Sequence, residues 1–348
     1  MPEASAKPRW VAVAGSVVGL LLVGAAVSVV VARRGDLSGA FEALSRAPVW
    51  MVVLALGLPL VNWAVVSLAL WVITARHGPV KPGEMLWLVG GAWLLNYLPM
   101  RPGMFGRVAY HKRVNGIPVR TSMGLLAVSM GLTAAAIAIL AVLGVALRWA
   151  RNPALEYGVI GAVGVAIAAA AMACRAWGGP WRIATALLLR YVDMLVWVAR
   201  YWIMFRLVGH TLGFEQACAI AAVSQAATAV PLSGNGLGLR EWAVGLSLAS
   251  LPAWYGSGAT PAIAEGAESV AEGATDAATL GMLADLVNRG VEMAIAVPVG
   301  LLGIGWVTRR LRRVGREPAA EGGDVPESGA VAGHERIEAA IEGDRPRE

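Results

Sequence analysis

Charge is scarce in this chain. Asp, Glu, Lys and Arg make up 15% of it, against 57% hydrophobic residues. A soluble domain carries about 25% charged residues, so a soluble fold is excluded as the general plan. Cysteine is nearly absent: Cys174 and Cys218 stand far apart, each in an apolar stretch, and give neither a disulfide framework nor a metal-ligand spacing. The histidines His77, His111, His210 and His334 are scattered, which argues against a histidine-held metal. There is no Gly-Lys-Ser/Thr phosphate loop, no nucleophile motif and no loop long enough for a soluble catalytic domain. We therefore expect no cofactor, no metal and no enzyme activity. The net charge of +6 sits at helix ends and in the tail, where it orients the chain and meets anionic lipid. It implies no nucleic-acid partner.

What the chain does have is long uncharged sequence. Residues 10–32, 49–75 and 121–147 contain no charged side chain, and a run of about 20 apolar residues crosses a bilayer as a helix. The first run is too long for a signal peptide, and no small-x-small pattern precedes Arg33-Arg34, so we read an uncleaved helix. The apolar segments lie near 10–32, 49–75, 85–99, 121–147, 154–174, 183–208, 215–232, 238–253 and 278–306. The tryptophans gather near their ends, as an aromatic belt requires.

Three segments, 85–99, 215–232 and 238–253, are short or bounded by glycine and proline. A 15-residue helix rises only about 22 Å, against a hydrocarbon core of about 30 Å. The breaks read Pro99-Met-Arg-Pro-Gly-Met-Phe-Gly-Arg107 and Pro231-Leu-Ser-Gly-Asn-Gly-Leu-Gly-Leu-Arg240. Broken segments at corresponding positions of two halves point to a transporter-type site.

The expected fold is an all-α integral membrane protein with about six spanning helices and two re-entrant helical hairpins, arranged as two inverted repeats. The repeats cover about 10–147 and 154–306 within a membrane domain at 1–306, with an Ala/Gly/Glu-rich insert at 254–277 on the outer side. The tail, 307–348, is basic through Arg309, Arg310, Arg312, Arg313 and Arg316 and then disordered. Both termini fall in the cytoplasm, although Arg33, Arg34, Arg46, Arg148 and Arg151 then lie on the outer side, against the positive-inside tendency. The plainer alternative is a set of ordinary spans with Gly/Pro kinks.

Buried charge marks the candidate chemistry. Arg190, Asp193 and Arg200 share one helical face. Pairing Arg190 with Asp193 leaves Arg200 unneutralised, so the trio is either a helix-locking ion pair or a positive site for an anionic headgroup. In the last span, Arg289 and Glu292 either neutralise each other or serve gating or proton exchange, beside Asn288. Arg101 and Arg107 flank a turn containing Gly103, and Arg240 and Glu241 follow Gly236 and Gly238. A helix start offers free N–H groups to an anion, and a guanidinium matches two phosphate oxygens. The other reading has glycines permitting close packing while the arginines snorkel. Asn62 and Asn96 read as interhelical hydrogen bonders, and Ser224 and Gln225 as cavity-lining groups.

The motif Pro99-x-x-x-Gly103-x-x-Gly106-Arg107, then Gly236-x-Gly238-x-Arg240-Glu241, then a closing span with Arg289, resembles the flippase-like transmembrane domain of lysylphosphatidylglycerol synthases over residues 10–306. The resemblance implies site roles for Arg107, Gly236, Gly238, Arg240, Glu241 and Arg289. No aminoacyl-transferase domain accompanies it, so no lipid-modifying activity is implied. The expected function is translocation of an anionic or zwitterionic phospholipid, aminoacyl-lipid or polyprenyl/glycolipid across the bacterial inner membrane. Arg101, Arg107 and Arg240 would hold the phosphate, Arg190, Asp193 and Arg200 would line the path, and Glu241, Asp193 or Glu292 would exchange a proton. The competing expectation is a non-transporting scaffold or regulator whose partner is a lipid-modifying enzyme or glycosyltransferase.

Overall fold

The computed structural model describes residues 9–32, 35, 38–98, 101–147, 153–230, 234–255 and 267–314. Among these residues every regular element is helical and none is a strand. The helices are α1 (Arg9–Ala32), α2 (Ser38–Ser45), α3 (Val49–Thr74), α4 (Pro82–Leu95), α5 (Pro102–Val114), α6 (Val119–Leu147), α7 (Pro153–Ala176), α8 (Trp181–Leu207), α9 (Phe214–Ala229), α10 (Leu239–Tyr255) and α11 (Ala267–Val314). Four helical stretches are long and apolar enough to cross a bilayer: Val49–Thr74, Val119–Leu147, Ala154–Ala176 and Gly273–Val314. The chain forms two compact units, Met1–Thr308 and Arg309–Glu348. Of the second, only the helical residues 309–314 are described. Arg33, Arg34, Arg148, Arg151, Pro99, Pro231 and the tail from 315 lie outside the described residues.

Polarity in the first unit runs opposite to that of a soluble protein. Val49, Val142 and Leu302 are 77%, 67% and 62% exposed, whereas Arg240, Glu241 and Asp285 are 0% exposed. An apolar exterior of this kind belongs in lipid, where every interior polar group needs an internal partner. The core is built on α8, which packs against α3, α6, α7 and α9. Met194, Tyr201, Phe205, Ile220, Val244 and Ala284 meet in its largest apolar cluster.

Both glycine-proline segments are helix–break–helix units. α4 packs on α5 and α9 on α10. In the first, Arg101 takes a left-handed conformation (φ 49°, ψ 60°) directly before Pro102, the first residue of α5. Proline disfavours the right-handed helical region for its predecessor, so the helix cannot run through. A left-handed arginine is strained by about 1–3 kcal/mol and persists only where its surroundings hold it. In the second, a short 3-10 turn, Gly234–Gly236, precedes α10. Gly236 has φ +71°, and a Cβ there would also lie 3.0 Å from Thr228 Cα, so only glycine fits without strain.

One boundary differs from the sequence reading. The stretch read as an outer insert at 254–277 is helical from Ala267 and continues unbroken into the last helix. Its alanines and glutamates are good helix formers and outvote the scattered glycines. Residues 256–266 lie outside the described residues.

α4 and α11 approach closely through glycines. A Cβ on Gly91 would lie 3.2 Å from Ile304 N, and one on Gly303 would lie 2.5 Å from Gly91 N. Small residues let helix backbones pack without a side-chain layer between them. Gly303→Leu is expected to force the pair apart at about 1–3 kcal/mol or more. Gly305→Leu, with open space around it, is expected to be neutral. Thermal unfolding in detergent checks both, and equal midpoints would contradict the packing.

Candidate functional site: a buried ionic network between two helix breaks

Three helices deliver charge to one interior region, and a fourth supplies a neutral bridge. α8 contributes Arg190, Asp193 and Arg200; α10 contributes Arg240 and Glu241; α11 contributes Asp285, Asn288, Arg289 and Glu292; α3 contributes the neutral bridge Asn62. All are buried. The α11 residues fall at helical spacings of three, four and seven from Asp285, so one face carries the set.

The bonds chain these groups together. Arg240 Nε donates to Asp285 Oδ2 at 2.9 Å, and its Nη1 donates to Glu292 Oε2 at 3.1 Å. Arg200 Nη2 donates to the same Glu292 oxygen at 3.1 Å and to Asn288 Oδ1 at 2.8 Å. Arg200 Nη1 donates to Asn62 Oδ1 at 3.2 Å, and Asn62 Nδ2 donates to Asp193 Oδ1 at 2.7 Å. Arg190 completes the chain, 3.4 Å from Asp193 Oδ2 and 3.1 Å from Ser129 Oγ on α6. Arg289 pairs with Glu241. Tyr201 OH lies 2.7 Å from Asp285 Oδ1 and also meets Ser224 Oγ. The Arg200 guanidinium stacks 3.8 Å from the centre of the Trp197 ring, and that of Arg240 lies 5.7 Å from it. A cation over a dry indole face gains further attraction.

The first break reaches the same centre. Glu292 Oε1 accepts from Tyr97 OH at 2.8 Å, Trp93 Nε1 at 3.3 Å and Asn235 Nδ2 at 3.3 Å. Glu292 therefore ties α4, α8, α10 and the second break to α11. Arg101 donates from Nη2 to the carbonyls of Thr228 and Val230. Those carbonyls belong to the C-terminal end of α9, where acceptors are left unpaired and the helix dipole is negative. The two breaks touch directly as well: a Cβ on Gly234 would collide with the Tyr97 carbonyl. Gly103 is pressed against the carbonyl of Ala92 and Asn96 Oδ1 in the same way.

Several sequence expectations change. Arg200 is not left unneutralised, because Glu292 answers it. Arg289 and Glu292 form no direct ion pair with each other: Arg289 turns to Glu241 and Glu292 to Arg200 and Arg240. Neighbours on one helix meet at its surface, whereas packed helices bring partners from several directions to an interior point. The hairpin arginines do not share one clamp. Arg240 is held by carboxylates and Arg101 by carbonyls, while Arg107 lines a separate cavity and has no hydrogen-bond partner among the described residues. Gly238, at φ +79°, forms the turn into α10, and the Gly236 carbonyl lies 3.5 Å from Arg289 Nη2. Asn62 bonds across helices, but among the described residues Asn96 Oδ1 and Gln225 Nε2 have no partner. Asp285, Tyr97, Trp93 and Tyr201 escaped the sequence reading. Asp285 was legible, since it precedes Asn288 by three positions and Glu292 by seven.

Among the described residues no group of His, Cys, Asp and Glu is placed to hold a metal ion. No family model, no curated protein and no solved structure matches the chain.

Proposed function

We propose that the chain translocates a lipid with an anionic headgroup between membrane leaflets. The observation that carries this reading is the meeting of two helix breaks over buried charge, through Arg101 on the α9 carbonyls and Tyr97 on Glu292. Transporters place interrupted helices in this way around a midplane site.

The order of elements supports two repeats: α1, α3, the α4–α5 break and α6, then α7, α8, the α9–α10 break and α11. Part of the packing fits the same equivalence, while the α7–α8 and α1–α10 contacts lack a counterpart of similar extent among the described residues. The α3–α4 pair answers α8–α9, the α6–α9 pair answers the α4–α11 contact at Gly91 and Gly303, and α3–α8 is its own counterpart. α4 and α5 have 14 and 13 residues and rise only about 20 Å each. As re-entrant hairpins in a bacterial inner membrane they would leave about six spans, with both termini cytoplasmic. In this mechanism a headgroup phosphate competes with Glu292 for Arg200 and Arg240. The released carboxylate takes a proton, which couples the exchange to headgroup movement.

A second reading has its own observation. Arg190, Arg200, Arg240 and Arg289 are matched one for one by Asp193, Glu241, Asp285 and Glu292, as in a static lock. That suits a scaffold or regulator of a lipid-modifying or glycan-assembly enzyme.

Reconstitution in vesicles with acyl-labelled fluorescent phosphatidylglycerol and an external reductant separates the two. Wild type is expected to expose inner-leaflet label faster than protein-free vesicles. Glu292→Gln, which keeps shape and removes charge, is expected to slow this by about tenfold or more, equivalent to about 1.4 kcal/mol. Wild-type vesicles no faster than empty ones would end the translocation reading and leave the scaffold.

A further inference from the structure

A crevice away from the ionic network has the chemistry of a phosphate receptor set in an apolar wall. Its inner part is a cavity of about 30 Å3 between α3, α4, α5 and α6, large enough for a single water-sized group. Leu70, Ile73, Leu125 and Leu126 form the wall, and the polar groups are Arg107, His111 and Ser122. Ser122 is 5% exposed, and among the described residues its hydroxyl has no partner; Arg107 Nε is also buried and, among the same residues, unpartnered. Buried polar atoms are nearly always satisfied, so two orphans facing one cavity ask for a ligand. His111 is fixed by its Nδ1 contact with Asn115 Oδ1 at 3.0 Å. Glu84, the nearby carboxylate, is engaged by Tyr110 and Asn115 and does not line the cavity.

A second cavity of about 320 Å3 shares Ile73 and Leu125 with the first, and Arg76, His77 and Arg182 line it. Among the described residues no acidic side chain lines either cavity. Trp177 is 88% exposed beside this mouth, and Trp181 lies between Arg175 and Arg182, with ring-centre distances of 5.3 and 5.0 Å. Exposed tryptophan among arginines is the signature of headgroup depth. A chain of carbons fits along Ile73, Leu125, Val128 and Ile183 of the outer cavity while its charged end meets the guanidiniums.

We infer that these neighbouring cavities form the entry site for a phosphate-bearing anionic amphiphile, with Arg76 and Arg182 receiving the headgroup in the outer cavity and Arg107 and Ser122 answering a single phosphate oxygen at the water-sized inner one. This rests on the translocation reading for its purpose, but binding is measured apart from transport.

The test is native mass spectrometry of the full-length protein in neutral detergent, titrated with phosphatidylglycerol or phosphatidylcholine. Wild type is expected to retain phosphatidylglycerol about tenfold more strongly, because guanidiniums repel a choline cation and already engage the ring of Trp181 that could otherwise receive it. Arg107→Gln is expected to weaken retention by about tenfold or more, the value of a charge-assisted bond to phosphate. Arg76→Gln, an exposed change without structural partners, guards against misfolding and is expected to weaken retention by about threefold. Unchanged retention in both variants, or equal retention of the two lipids, overturns the site. Displacement of the lipid by an equal concentration of inorganic phosphate also overturns it, since the receptor would then serve free phosphate. If the variants bind normally while wild type moves lipid, the crevice fails and translocation stands. If wild type binds as expected and moves none, the reverse holds.

Discussion

Arg240→Met is expected to lower stability by about 3–5 kcal/mol, the usual consequence of stripping one partner from a buried ion pair. Arg240 is 0% exposed and answers both Asp285 and Glu292, at 2.9 and 3.1 Å. Methionine fills much of the same volume, so the loss would report charge rather than a cavity. Asp285 and Glu292 would remain in the interior, with Arg200 alone facing Glu292. Adding Asp285→Asn should recover part of the loss, because the amide stays near Tyr201 and carries no charge. A double-mutant cycle on thermal or denaturant unfolding gives the coupling. Independent, additive effects at the two positions would show that the network is not the unit described. The exposed Arg46–Glu42 pair, at 2.8 Å and with side chains 78% and 58% exposed, sets the contrast. There solvent screens both charges, and Arg46→Met should cost no more than about 1 kcal/mol. Distance is similar in the two cases; desolvation decides which pair matters.

Gly234→Ala is expected to separate the two helix breaks. The added carbon would strike the Tyr97 carbonyl, which is backbone and cannot rotate aside. Tyr97 has little freedom to retreat, since its hydroxyl is tied to Glu292 at 2.8 Å. Overpacking of this kind costs about 1–3 kcal/mol, and more when the obstacle is rigid. Lipid movement should fall by more than the loss of folded protein explains, because the contact removed is the one on which translocation is argued. Gly124→Ala on α6, with open space around it, is the control and should be neutral or slightly stabilising through helix propensity. Equal lipid movement in Gly234→Ala and wild type, at equal folded yield, would remove the contact between breaks from the mechanism.

Much of the architecture was readable in advance. Residues 49–75 and 121–147 had to be long helices, because uncharged runs of that length find no other stable state in lipid. Pro102 and the glycines after Ala229 had to interrupt helices, because each blocks or releases the backbone locally. Periodicity also placed Arg190, Asp193 and Arg200 on one face. These are effects within a few turns of chain, which composition and spacing express directly.

Partnership was a different matter. That Glu292 serves Arg200 and Arg240, while Arg289 turns to Glu241, depends on how α8, α10 and α11 cross. Arg101, Arg107 and Arg240 look alike beside their glycines, yet one closes the end of α9, one lines a separate cavity and one is locked between carboxylates. Helix formation and the lipid-facing exterior thus followed from local sequence, through hydrogen bonding and hydrophobic length. The pairing of charges awaited the tertiary structure, because Coulomb attraction and desolvation depend on distances between residues far apart in the chain.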